Sequence, residues 1–292
     1  MADDLSGAVV TGCRVAGPSR AVRAGTVAVA AVLLALSGAG CGRKPAKLAP
    51  GAGEADRILY ERGADALNDK KWFTAREYFR QVVDGYPQSP YRSDAKLGLG
   101  DTYLGEGTTQ AFVLAVNEFQ EFLTFYPTSP RADYAQYKLA MCHYRQMAKP
   151  ERDQTETKAA VADFELFLER YPESSLRDDA RGKLRLARDR LSDSEFKVGL
   201  FYYRARWYPG AIDRLQSVLK ADPEYTNRDG AYYYLGESLV KVNRQAEALP
   251  WFDRLVQEFA QSEYLEQARL RVAELKAPVA TPSPNPPSPP VP

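Results

Sequence analysis

Small and large apolar residues return along this chain at fixed offsets, with polar residues filling the spaces between. Phe79, Phe119, Phe164, Leu215 and Phe252 form a series of large anchors; Ala75, Ala115, Ala160, Ala211 and Ala248 stand four residues before them, and Ala95, Ala135, Ala180, Ala231 and Ala268 sixteen after. Residues four apart share one helix face, so each Ala leaves a notch beside a knob where a neighbouring helix can approach. Eight residues after the anchor comes Pro87, Pro127, Pro172 or Pro223, with Ala260 in the fifth copy. Proline cannot continue a helix and biases its predecessor away from the α region, so Tyr86, Tyr126, Tyr171 and Asp222 are predicted helix ends. Helix, turn and helix are therefore expected five times over.

Gly63, Gly100, Gly199 and Gly236 share a second small position, on the helix preceding each anchor. Small, small, aromatic, proline is the order of the tetratricopeptide (TPR) helix-turn-helix, and self-similarity at this period marks a stacked array. The predicted fold is all-α, a TPR-type α-solenoid of about five units. Units two and three carry inserts, at 105–108 and 149–153, which the pattern places between helices. A charged run over 176–191 interrupts the register, with Leu184, Ala187 and Leu191 on one face. Ser192 and Glu195 have the spacing of a capping box that restarts a helix at Phe196. The expected division is an N-terminal half over 57–191, units one to three plus the joint, and a C-terminal half over 192–276, units four and five.

The ends of the chain read differently. Arg14, Arg20 and Arg23 precede an apolar run over 24–39, and small residues then lead to Cys41. Positive flank, short apolar core and small-residue exit predict a signal peptide over 1–40. Gly38-Ala39-Gly40-Cys41 resembles the bacterial lipobox, although Gly38 stands where that pattern prefers Leu; the resemblance implies that Cys41 is acylated and anchors the mature protein in a membrane. A Gly, Pro and Ala-rich tether follows over 41–56. The tail over 277–292 contains eight prolines, which predicts an extended, disordered segment, and Pro284 with Pro287 fits a PxxP spacing.

Composition narrows the chemistry. With 39 Lys and Arg against 38 Asp and Glu the net charge is +1, and removal of 1–40 takes it to 0, so no nucleic-acid partner is expected. Cys142 would be the one unlipidated cysteine of the mature chain, which excludes an internal disulfide, and it reads as a small buried residue. His143 is the single histidine; adjacent residues on a helix face different ways, so Cys142 and His143 make no metal pair. The glycines of GLGDTYLG fail the phosphate-loop pattern because Tyr103 occupies the third place, and no GxSxG, Walker A or HExxH sequence occurs. No enzyme activity, cofactor or metal is expected. What remains is surface. In a TPR array the first helices of successive units line a groove, which places Tyr60, Leu67, Leu97, Leu104, Tyr134, Lys138, Met141, Tyr144 and Arg145 there in the N-terminal half. Phe196, Leu200, Tyr203, Tyr233, Val240 and Lys241 take those places in the C-terminal half. Apolar side chains with a few cations suit an extended peptide offering apolar side chains and a carboxylate.

The lipobox-like Cys41, the five units and the phrases FLTFYPTSPRADYAQYKLA, FLERYPESSLRDDARGKLRLARDRL and YYRARWYPGAIDRLQSVLKADPEYT together resemble the BamD family, lipoproteins of the outer-membrane β-barrel assembly machinery, over about residues 41 to 276. That resemblance implies a place on the periplasmic face of the outer membrane, with Gly42 after the cysteine in keeping with outer-membrane sorting. It also implies binding to the BamA barrel subunit through the C-terminal half, contact with other lipoproteins of the machinery, and recognition of unfolded outer-membrane proteins. Arg214, with Arg204 and Arg206, is the expected docking set. The rival reading, a periplasmic TPR protein of the Tol-Pal and cell-division type, expects an N-terminal coiled coil, and residues 42–56 show no heptads.

Overall fold

The computed structural model describes residues 54–277, in which eleven helices follow one another without a strand. The expectations over 1–53 and 278–292, including Cys41, the tether and the proline tail, lie outside the described residues. The helices are α1 (Ala55–Asn68), α2 (Trp72–Gly85), α3 (Arg92–Glu106), α4 (Thr109–Phe125), α5 (Ala132–Tyr144), α6 (Thr155–Arg170), α7 (Arg177–Arg204), α8 (Tyr208–Ala221), α9 (Arg228–Lys241), α10 (Gln245–Glu258) and α11 (Leu265–Lys276). Each packs chiefly on its sequence neighbours, and the first helices of successive units, α1, α3, α5, α7 and α9, also touch one another. This is the TPR-type solenoid that the repeat predicts.

The offsets translate directly into packing. Every anchor and every Ala of both flanking series is fully buried, and the large side chains form a chain of small cores between successive helix pairs. Phe119 lies so close over Gly100 that an added Cβ would sit 2.6 Å from its ring, and Phe252 covers Gly236 in the same way. The predicted ends hold, with Tyr86, Tyr126, Tyr171 and Asp222 as C-caps and Phe259 in the fifth copy, where no proline is needed to stop the helix.

A serine sets the turn that follows, and the repeat reading did not single it out. The backbone N–H groups of Ser89, Ser129, Ser174 and Ser262 donate to the carbonyls of Tyr86, Tyr126, Tyr171 and Phe259 at 3.0–3.2 Å. Their hydroxyls accept from the N–H two residues on, at Tyr91, Arg131, Leu176 and Tyr264. Ser174 and Ser262 also donate at 2.6 Å to Asp133 and Asp229, at the start of the preceding first helix. One hydroxyl thus ends a turn and ties it back to its own unit.

Two expectations are corrected. The insert of unit two is absorbed largely by helix length: α3 has 15 residues, α4 has 17, and only Gly107 and Thr108 join them. Gly107 takes φ of 72°, and the Thr108 hydroxyl caps α4 by accepting from the Ala111 N–H at 3.1 Å. Nor does a helix restart at Phe196, since α7 runs unbroken for 28 residues through the expected joint. Ser192 is buried inside it and donates its hydroxyl hydrogen to Asp222 at 2.7 Å, so a tertiary partner has claimed the side chain that a cap needs. Arg185 grips the same carboxylate, and Asp189 receives Thr226 at 3.0 and 2.8 Å. Burial alone would raise the pKa of Asp222, but hydrogen bonds from Arg185 and Ser192 more than offset it and hold the carboxyl below its usual range.

Candidate peptide groove and docking surface

The predicted groove residues of the N-terminal half lie on the first helices of units one to three, α1, α3 and α5, with Arg145 at the end of α5. Leu97 and Leu104, however, are 1% and 5% exposed and belong to the core between α3, α4 and α5, so they are not groove residues. A first helix of an interior unit is covered on two sides, by its own partner and by the next unit, and register alone does not separate those sides from the open one. Tyr60, Leu67, Tyr134, Lys138, Met141 and Tyr144 are half-buried, and Arg145 is exposed. Tyr60 stacks on Tyr91 with centroids 5.3 Å apart, and Tyr144 meets Phe164 edge-on at 6.0 Å. Each therefore serves the core with one face of its ring.

The cations differ from one another. Lys138 Nζ is 2.9 Å from Asp101 Oδ1 and lies over the Tyr134 ring, whose hydroxyl donates to Asp101 Oδ2 at 2.7 Å. Burial raises the Tyr134 pKa, with help from Asp101, to about 12, so the phenol stays protonated as a donor. Burial disfavours the Lys138 charge, yet Asp101 more than restores it, and the net shift is upward. Lys138 is thus charged but already matched, and it is withdrawn as the partner of a peptide carboxylate. Arg145 is held otherwise: its Nη1 donates to the Leu104 carbonyl at 2.7 Å and its guanidinium lies 5.5 Å from the Phe112 ring. No carboxylate pairs with it among the described residues. It is fixed, exposed and not neutralised.

Next to it, Cys142 is fully buried and burial pushes its thiol up to about 12, which makes it inert packing. His143 Nδ1 is 2.7 Å from Glu156 and Nε2 3.6 Å from Asp163, so the histidine joins α5 to α6. Among the described residues no group of three or more His, Cys, Asp or Glu is placed to hold a metal ion, and no helix is long and apolar enough to cross a membrane.

The C-terminal surface carries the three predicted docking arginines, all exposed. Arg204 ends α7, and Arg206 occupies the turn into α8 with φ of 62°. Arg214 projects from α8 and pairs with Glu195 of α7 at 3.2 Å, both side chains being about half exposed. The sequence reading missed the aromatic company of this turn: Phe201 is 66% and Trp207 56% exposed, and Trp207 lies over Gly210 with its edge against Tyr202 at 4.8 Å. Two aromatics flanking Arg204-Ala205-Arg206 were the available signal. On the first-helix face, Tyr234 and Tyr264 join the expected Phe196, Tyr203 and Tyr233 in one aromatic cluster, Tyr233 stacking on Tyr264 at 4.9 Å.

A solenoid of helix pairs with a half-open aromatic face and an arginine-edged turn belongs to the class of TPR-type helical-repeat proteins. Comparison with known proteins makes this specific. The profile of the YfiO family, described as "Outer membrane lipoprotein", matches residues 53–238. The outer membrane protein assembly factor BamD of Caulobacter vibrioides is 31% identical over 226 residues, 76% of this chain and 72% of that protein. BamD of Vibrio cholerae is 28% identical over 57% of this chain and 72% of its own length, and BamD of Rickettsia prowazekii 24% over 72% and 82%. The chain belongs to the YfiO (BamD) family of outer-membrane lipoproteins. Among solved structures, the TPR2AB domain complex of yeast Sti1 covers 76% of this chain and 83% of its own at 11% identity and a TM-score of 0.42, a likeness too distant to bear on function.

Proposed function

We propose that this protein is a non-catalytic assembly factor for outer-membrane proteins, held by lipid on Cys41 at the periplasmic face of the outer membrane. Its C-terminal half docks a BamA-like barrel subunit, its N-terminal face captures unfolded clients, and other lipoproteins of the machinery join the complex. The observation that carries the reading is the family match, which covers the N-terminal half and continues into the C-terminal half, over 53–238. The Tol-Pal alternative has no comparable support. Affinity purification from detergent-solubilised outer membrane tests it: co-elution of a BamA-like barrel protein is expected, lost or strongly reduced with Arg214→Glu. Elution of the protein alone overturns it. Mass spectrometry of the mature N-terminus is expected to find an acylated Cys41.

For the client, Arg145 is the predicted cation of the N-terminal groove that is exposed and not matched by a carboxylate among the described residues. An extended C-terminal segment with alternating apolar side chains would rest on Tyr60, Tyr134, Met141 and Tyr144 and place its carboxylate at Arg145. Ordering such a peptide has an entropic cost, so affinity is modest. A labelled free-acid peptide is expected to bind the full chain several-fold better than its amide, and Arg145→Ala should abolish that difference. Equal binding of acid and amide by the unmodified chain removes Arg145 from the account.

A further inference from the structure

Among the described residues, successive second helices of this solenoid leave open notches between them, including those between α2 and α4, α6 and α8, and α8 and α10. One is lined by Val83, Arg92, Lys96, Glu121, Phe125 and Tyr126, and a second contains Glu165, Asp222 and Glu224. The third lies between α8 and α10 above the start of α9, has a volume of about 350 Å³, and differs in chemistry. Its floor is aromatic, Tyr232 and Trp251 meeting with centroids 5.6 Å apart. Three cations line it, Lys220, Arg228 and Arg254, and no carboxylate does. Arg254 lies over the Trp251 ring at 5.3 Å, and neither it nor Lys220 has an acidic partner among the described residues. Aromatic walls with free N–H donors fit a polyproline segment, whose rings pack on aromatics and whose carbonyls, unpaired within the segment, accept from outside.

Such a segment belongs to this chain and follows α11, which packs on α10, the helix that gives the notch Trp251 and Arg254. Helix α11 ends at Lys276, whose Nζ is 3.0 Å from Asp253 on α10, the residue next to Arg254 and two from Trp251. Residues 278–292, outside the described residues, include eight prolines and no charged side chain, and PxxP spacings recur at Pro284 to Pro287, Pro286 to Pro289 and Pro287 to Pro290. Fifteen residues at about 3.1 Å each reach about 45 Å in the polyproline form, against about 10–12 Å to pass around one helix. We infer that the proline-rich tail folds back and docks, in polyproline form, into the Tyr232–Trp251 notch of its own chain.

The chain has three tryptophans, Trp72, Trp207 and Trp251, so fluorotryptophan NMR reads the site directly. A chain stopped after Ala277 keeps every described helix. Its Trp251 signal, assigned with Trp251→Phe, is expected to move relative to the full chain while Trp72 and Trp207 stay in place. Adding a peptide of residues 277–292 to the shortened chain should restore the full-chain position, and replacing Pro284 and Pro287 of that peptide by Ala should weaken it several-fold. A short tether supplies about 1 mM of local tail, so a peptide binding with Kd of about 0.1 mM should bind the full chain about tenfold more weakly than the shortened one. An unmoved Trp251, or equal peptide binding by both chains, overturns the inference. So does a Trp251 shift that depends on protein concentration, which would assign the notch to the tail of a second copy.

Discussion

A phenylalanine ring against a glycine is the smallest unit of this structure. Phe119 is fully buried and cannot swing away from Gly100, so Gly100→Ala forces the ring or the helix to shift at about 1–3 kcal/mol. That exceeds the roughly 1 kcal/mol that alanine gains in helix propensity. A lower urea midpoint is expected, whereas Gly182→Ala, exposed in the second turn of α7 with nothing near its Cβ position, should raise stability by about 0.5–1 kcal/mol. Arg206 offers a cleaner separation of fold from function. Its left-handed backbone is strained for any residue with a Cβ, at about 1–2 kcal/mol. Arg206→Gly is therefore expected to leave the melting temperature unchanged or higher while weakening capture of the BamA-like partner; unimpaired capture would remove Arg206 from the docking set. At this scale the knobs and notches were legible because a repeated letter is repeated geometry. The turn serines also recur, ten residues after four of the five anchors, but a serine in a polar turn reads as ordinary turn composition until its hydrogen bonds are seen, and Leu97 and Leu104 were misplaced because apolar letters look alike on a covered and an open face.

Helix α7 shows how a tertiary contact overrides a local signal. Ser192 and Glu195 have capping-box spacing, but the Ser192 hydroxyl is spent on Asp222, thirty residues on, and the backbone continues as helix. No local reading contains that partner. Arg185, Ser192 and Asp222 clamp α7 to the end of α8, with the Asp222 side chain only 12% exposed. Because the folded pKa of Asp222 is lowered from 3.8, the clamp contributes stability that is fully present above that value and lost as pH falls through the depressed one. Chemical denaturation from pH 6 down to pH 2 should show this loss. Arg185→Ala strands a half-buried carboxylate at a cost of about 1–3 kcal/mol near neutral pH, and it should flatten the acid dependence because the variant has less to lose. An unchanged acid profile in the variant would assign the effect to other carboxylates.

For the whole molecule, the array was written in the offsets and the family resemblance in Cys41 and the long phrases around the repeats, while the state of each surface group was not. Lys138 and Arg145 are both cations at groove positions, yet one faces Asp101 from the neighbouring helix and the other a carbonyl and a ring. Only packing decides which is left for a ligand. The 28-residue α7 matters at this scale too. Repeat arrays store stability in nearest-neighbour steps and can come apart one unit at a time. Here a single rod of about 42 Å, at about 1.5 Å per residue, is shared by both halves, so the seam at which they would part is missing. Loaded in tension between its two ends, the protein should answer as a beam with one yield point, giving a single rupture in an optical-trap trace. Two glycines inserted after Leu191 would turn the beam into a hinge, and the one rupture into two.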